Sequence, residues 1–570
     1  MILLSIFVGL VSGLAAVLLK NLAGWVEHRV GQWFSEGNIN IWYLVLPLMG
    51  ILLTVLAVKM LLKDDAGHGV SKVLSGMSVF RGFISSKKAF SSIFGSALTV
   101  GFGGSVGLEA PVVLTGASLG SKLGRIFKLD YSSLMLLVGC GATAAVAGVF
   151  KAPITGIIFT LEVLLLDLSM ASIVMLLLSS VTAALMSSIL LGKSLVFSFN
   201  LNFDYAIQNI PIYILLGVIA GFVSVYFVKL NFFIEKKFNR QNNIWLKVIL
   251  GSIVLGLLIF FFPPLFGEGF SSLMQIISGD ALEITKNSLF FTYRHIPIVF
   301  LGFILLLVFL KVIATSLTTA SGGIGGVFAP SLFVGGFLGF LTAHSLNIFF
   351  GLELPTINFA LAGMAAVMSG VMHAPLTAIF LIAEITGGYK LFVPLIITAT
   401  IAYLLNRIFL PHSIYAAHLA AKKELITHNK DKSVLSMMKL NSLIENNFVC
   451  LKKDGNLKDI VAAVSSSHRN IFPVVDLENN FVGVVLLDTV REIMFKPELY
   501  ETVSVSDLLT LPSDDQQINI TASMETAVEK FKIKDHYTLV VLDGTKYVGF
   551  LSRANVLSEY RDKVSELSND

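Results

Sequence analysis

Two glycine-rich stretches set deep in apolar sequence are copies of one another. Residues 103–111 read GGSVGLEAP and residues 322–330 read GGIGGVFAP. Five of the nine positions are identical: Gly103/Gly322, Gly104/Gly323, Gly107/Gly326, Ala110/Ala329 and Pro111/Pro330. A second pair follows at almost the same spacing. Residues 148–163 read GVFKAPITGIIFTLEV and residues 370–385 read GVMHAPLTAIFLIAEI, with seven of sixteen positions identical. A chain that repeats itself once inside an apolar region, and breaks its helices at matching places, has the pattern of a duplicated transporter or channel. Each copy carries Gly-x-x-Ala-Pro, which predicts a loop entering a helix.

The surroundings place that pattern in lipid. Of the 570 residues, 55% are hydrophobic and 14% are charged, against about 25% charged in ordinary soluble proteins. Mean hydropathy is +0.81. The net charge of +4 is too small to be a nucleic-acid footprint. Two cysteines, Cys140 and Cys450, make neither a disulfide framework nor a metal spacing. The N-terminal run MILLSIFVGLVSGLAAVLLK has no basic segment before it and no clear cleavage site, so it reads as the first membrane helix.

Apolar runs fill residues 1–410. Those at 41–62, 246–265 and 391–410 are long enough to cross about 30 Å of hydrocarbon. Those at 95–111, 139–153, 320–330 and 363–375 are cut short by Gly and Pro. Broken helices are tolerated at membrane depth only where their ends are buried in protein or line a cavity. The segment between the halves, roughly 229–247, is basic, and so is 420–432; both argue for the cytoplasmic side. From about 433 the composition becomes that of a soluble α/β domain. Residues 472–485 and 538–551 both read as strand, polar turn, strand, each with a helix-like stretch before it (456–467 and 523–534) and another after it. This is a second, tandem repeat.

The glycine loops suit an anion. Bare chloride in hydrocarbon is very costly. The first turn of a helix offers up to four unpaired N–H donors and about half a positive charge, which makes it a ready anion site. Glycine lets the ion reach the backbone, and proline at the first helical position loses nothing there. A carboxylate at membrane depth, Glu109, is expensive and marks function.

These segments resemble the CLC family of chloride channels and chloride/proton antiporters. The family signatures GSGIP, GxEGP and GxFxP are matched by Gly67-His68-Gly69-Val70-Ser71, Gly107-Leu108-Glu109-Ala110-Pro111 and Gly326-Val327-Phe328-Ala329-Pro330. Tyr415, in SIYAAHLA, matches the tyrosine near the end of the membrane region, and residues 139–162 match a further family stretch. The resemblance spans roughly residues 1–425. It implies a multi-pass α-helical membrane protein with a duplicated, inverted-repeat CLC fold and broken helices, in halves of roughly 1–228 and 246–425. The tandem repeat at 433–570 resembles a cytoplasmic α/β pair of CBS domains (roughly 433–500 and 501–570) behind a linker at 426–432.

The same resemblance implies roles. Glu109 would be the gating glutamate and proton acceptor, competing with chloride for a site at a helix start. Gly107 and the backbone N–H groups of Val327 and Phe328 would bind the ion, and Tyr415 would offer its O–H. His68 stands where the family has serine and Ser71 where it has proline, so ligation falls on the His68 ring or on the Gly69 backbone. Antiporters of the family often carry a second glutamate at the position of Val163; its absence favours a passive channel over a chloride/proton antiporter. Glu162 and Glu384 are matched in the two repeats and read as structural pairing or capping. In the CBS pair Thr489 and Asn555 replace the ribose-binding aspartates, and Leu486 replaces the counterpart of Ser552. Nucleotide contacts would therefore fall on Ser552 and Asn555, with a structural or dimerising role as the alternative. The implied partners are chloride or a similar small anion, the lipid bilayer and a second copy of the chain, in the cell (inner) membrane, with no cofactor, metal, nucleic acid or enzymatic activity. A cation transporter regulated by CBS domains is a weaker alternative, because it would want more intramembrane carboxylates. A Gly139-x-Gly141-x-x-Ala144 match to a dinucleotide fingerprint lacks the strand context that motif needs.

Overall fold

The structure is a computed structural model that describes the chain except residues 33–39, 65–68, 79, 81, 166–169, 193–204, 422–434, 436–437, 534–535 and 569–570. It divides into two compact units, Met1–Leu425 and Ile426–Asp570.

The first unit is helical. Its elements are α1 (Ile2–Gly31), α2 (Trp42–Val55, continued as a π-helix over Leu56–Leu61), α3 (Gly69–Ser78), α4 (Lys87–Gly101) and α5 (Glu109–Ile126). Then come α6 (Tyr131–Phe150), α7 (Pro153–Glu162), α8 (Met170–Leu191), α9 (Ile210–Asn239), α10 (Ile244–Phe261) and α11 (Phe270–Ile277). The unit ends with α12 (Pro297–Ala320), α13 (Phe328–Phe350), α14 (Thr356–Met372), α15 (Pro375–Ile385), α16 (Phe392–Phe409) and α17 (Ala417–Ala421). Among the described residues nine helices are long and apolar enough to cross a membrane, α1 among them. The shorter apolar helices include α7, α14 and α15, which lie beside the breaks that the sequence marks. The basic stretch at 229–247 holds the end of α9, to Asn239, then residues 240–243 and the start of α10.

Each break has a local cause. After α6 and α14 the chain turns through Lys151 (φ 54°) and His373 (φ 55°), left-handed residues that stop each helix. The Ala-Pro that follows starts the next helix with proline in its first turn. At the glycine loops, Gly103 (φ 94°) and Gly322 (φ 104°) take a backbone conformation that other residues resist.

The two repeats share one helix pairing. α5 lies along α6, and α13 along α14. A Cβ built on Gly116 would collide with the Gly141 carbonyl, and one on Gly335 with the Gly363 carbonyl. Small residues let the backbones touch, the usual way for helices to associate in lipid.

The second unit holds two three-stranded sheets. β1 (Leu451–Lys452) pairs parallel with β2 (Ile471–Val475), which pairs antiparallel with β3 (Phe481–Leu486). β4 (Gln517–Asn519), β5 (Thr538–Asp543) and β6 (Lys546–Ser552) repeat that order. Helices α18 (Leu457–Ser466) and α20 (Met524–Ile533) precede the two hairpins; α19 (Leu487–Val490) and α21 (Arg553–Ser568) follow them. The β2–β3 turn is held by Asp476, which accepts hydrogen bonds from the amides of Glu478 and Asn480 and from the Asn480 side chain. Those bonds keep its carboxyl below the usual carboxylate range. The strand–turn–strand repeat is thus present at the places the sequence marks.

Candidate functional site

The two glycine loops meet. The Gly107 amide donates to the Gly326 carbonyl (2.9 Å) and the Gly326 amide to the Gly107 carbonyl (2.8 Å), an antiparallel bridge between equivalent residues. Side chains brace the crossing reciprocally. The Thr318 hydroxyl accepts from the Ser105 amide (3.1 Å), and the Thr99 hydroxyl from the Ile324 amide (3.0 Å). Each loop is therefore held by the helix that leads into the other. Just past the bridge, α5 and α13 begin at Glu109 and Phe328, and no side chain of Leu108 or Val327 caps them.

Glu109 stands at this crossing. It is 3% exposed, and neither carboxylate oxygen has a hydrogen-bond partner among the described residues. The carboxylate faces the amides of Glu109 and Ala329 without reaching bonding geometry, so it lies at the start of α13 as well as of its own helix. A Cβ on Gly107 would strike it. A buried anion between two uncapped helix starts is placed where a halide would also be stabilised.

Beside the crossing lies a cavity of about 20 Å³, room for about one water-sized particle. Gly69, Ala110, Gly325, Gly326, Val327 and Tyr415 line it, together with the polar Ser71, Asn231 and Thr319. Tyr415 is 5% exposed. Ser71 is positioned by donating to the Tyr415 carbonyl (2.9 Å), a bond that proline could not make. Gly69 is required because a Cβ there would strike the Ala110 carbonyl. The structure thus brings together Gly69, Gly107, Glu109, Val327, Phe328 and Tyr415. Phe328 also packs in the core, its ring stacked on Phe150 at 5.1 Å. His68 lies outside the described residues.

Val163 is buried at the end of α7 and packs in the main apolar core. Glu162 and Glu384 cap helices reciprocally. Glu384 accepts from the amides of Ile154 and Thr155 and from the Thr155 hydroxyl; Glu162 accepts from Leu376, Thr377 and the Thr377 hydroxyl, all at 2.6–3.0 Å. In the second unit, Ser552 accepts from the Asn555 amide at the start of α21, and the Asn555 side chain donates to Glu445 (2.8 Å). Both side chains already have internal work. Leu486 ends β3, and Thr489 is exposed on α19.

Two charged residues near the crossing escaped the sequence reading. The Leu108 amide donates to Glu268 Oε1 (2.9 Å). Lys311, fully buried on α12, donates to the Gly267 carbonyl (2.9 Å) and sits over the Phe333 ring. The available signal was a single lysine inside the apolar run 297–320 and an acid between two glycines at 267–269.

The comparisons with known proteins fit this geometry. The family model described as voltage gated chloride channel matches residues 50–407. The voltage-gated ClC-type chloride channel ClcB of Escherichia coli is 30% identical over 330 residues, 57% of this chain and 74% of that protein. Among solved structures, a CLC-type fluoride/proton antiporter is 25% identical at a TM-score of 0.59, covering 73% of this chain and 96% of the other. A eukaryotic CLC transporter, 18% identical, superposes at a TM-score of 0.63 over 97% of both chains. Paired glycine loops, two opposed helix starts, a buried acid between them and a family match over most of the first unit agree: this chain belongs to the voltage gated chloride channel (CLC) family.

Proposed function

We propose that the protein conducts chloride across a membrane through a pathway that Glu109 gates, as a passive channel. The observation that carries this is the buried carboxylate lying between the starts of α5 and α13, with no hydrogen-bond partner among the described residues. Deprotonated, it fills the place of the anion; protonated, it no longer competes. The Val327 and Phe328 amides, the Gly69 and Gly107 backbones and the Tyr415 hydroxyl are the proposed ligands. His68 contributes its ring or yields to Gly69. The buried Val163 supports a channel, because that position carries no carboxylate to pass protons onward. The work is transport with no cofactor, so the protein is read as no enzyme.

A second reading has support from the relative at 25% identity, which is a CLC-type fluoride/proton antiporter. One experiment separates the two. In liposomes with the purified protein, a chloride gradient is fixed and the pH gradient varied. A channel reverses at the chloride equilibrium potential whatever the pH gradient. A reversal potential that follows the proton gradient overturns the channel reading and establishes exchange.

Residues 1–425 are proposed as the transport domain and 433–570 as a pair of CBS domains on the cytoplasmic side of the cell membrane, in a homodimer. The duplicated β-β-α pattern supports the pair. Because Ser552 and Asn555 are engaged internally, the pair is read as structural or dimerising rather than as a nucleotide sensor.

A further inference from the structure

Glu109 has a difficulty that its burial creates. A carboxyl that opens a pathway by gaining a proton must trade that proton with water, yet it is 3% exposed and bonds to no described group. Glu268 is an acid placed to help. Its carboxylate accepts from the amide of Leu108, the residue immediately before Glu109, and the residue as a whole is half-buried. The two carboxylates lie within electrostatic range of one another.

The segment bearing Glu268 is built rather than incidental. Gly267 (φ 60°) and Gly269 (φ 89°) flank it in left-handed backbone. The Gly267 amide donates to the Gly103 carbonyl in the first glycine loop (3.3 Å), and its carbonyl accepts from Lys311 Nζ (2.9 Å). A fully buried lysine is expensive without an anion nearby, and Glu268 is the acid that acts on it. The other charged groups acting on the two acids are Lys20 and Glu27 of α1; Tyr415, which lines the cavity, lies within electrostatic range of Glu109.

We propose that Glu268, anchored by Lys311, is the group through which Glu109 exchanges its proton with water. Protonated Glu268 gives its proton to the Glu109 carboxylate. The carboxylate left at 268 is then reprotonated from water, and the same steps run backwards when the gate closes. The inference rests on the reading of Glu109 as an ionisable gate.

The test uses the full-length protein in liposomes, with chloride flux followed against pH and after rapid pH steps. Removing the negative charge at 268 makes Glu109 easier to deprotonate. Glu268→Gln therefore moves the midpoint of activation to lower pH by about one unit, and slows the response to a pH step about tenfold or more. Lys311→Met removes a positive charge and moves the midpoint the other way. Glu268→Asp keeps most of the wild-type response rate. A purely structural role would not give shifts of opposite sign. A Glu268→Gln profile and response rate equal to wild type, or both variants moving in the same direction, overturns the proposal. Glu109→Gln is run in parallel. If it keeps the wild-type pH dependence, the gate reading itself fails; if it loses that dependence while Glu268→Gln behaves as wild type, only the role of Glu268 fails.

Discussion

Glu109 is a buried acid with no hydrogen-bond partner among the described residues, set at two uncapped helix starts. A buried carboxylate normally collects hydrogen bonds, and the absence of any to this one among the described residues fits a side chain that changes place with an ion. Glu109→Gln is expected to leave chloride flux in liposomes and to flatten its pH dependence across the range where wild type responds; a steep residual dependence would move the gate elsewhere. Thr99 and Thr318 make a different residue-scale case, because each accepts the amide of the opposite loop. Thr318→Val strands the Ser105 amide, and a buried unsatisfied donor costs about 1–3 kcal/mol. Thr99→Val strands the Ile324 amide and also breaks the Thr99–Thr54 hydroxyl bond (2.9 Å), so it is expected to lower the melting temperature in detergent more than Thr318→Val. An equal or smaller drop would overturn this account.

Among the elements, the legible and the illegible divide along chemistry. The breaks at 102–108, 151–152, 321–327 and 373–374 were legible because Gly and Ala-Pro interrupt apolar runs, and the resemblance of the flanking motifs to the CLC family supplied the site list. The bridge between Gly107 and Gly326 was not legible, since no periodicity says which loops meet. Glu268 was missed because its partner is a backbone amide 160 residues earlier, and a pairing of that kind leaves no local pattern. The close helix pairs give a prediction at this scale. Gly116→Ala and Gly335→Ala each push a methyl into a facing carbonyl, and overpacking of this kind costs about 1–3 kcal/mol. Gly302→Ala, on α12 with open space around it, is expected to be neutral or stabilising by up to about 1 kcal/mol. Thermal unfolding of the three variants in one detergent checks the order.

For the molecule as a whole, the second unit is proposed to be structural or dimerising. Millimolar adenine nucleotide added to the full-length protein is expected to leave both its melting temperature and its chloride flux unchanged; a rise of several degrees would assign a ligand to the CBS-like pair. The reciprocity of Glu162 and Glu384 has a larger consequence. Each half of the membrane unit finishes a helix that belongs to the other, and the threonine ties at the glycine loops do the same. Neither half, expressed alone, would find its missing acceptors except in a second molecule lying upside down beside it. Reciprocal ties of this kind are what a duplicated chain would keep if its halves pair as two copies would, here joined through residues 240–243.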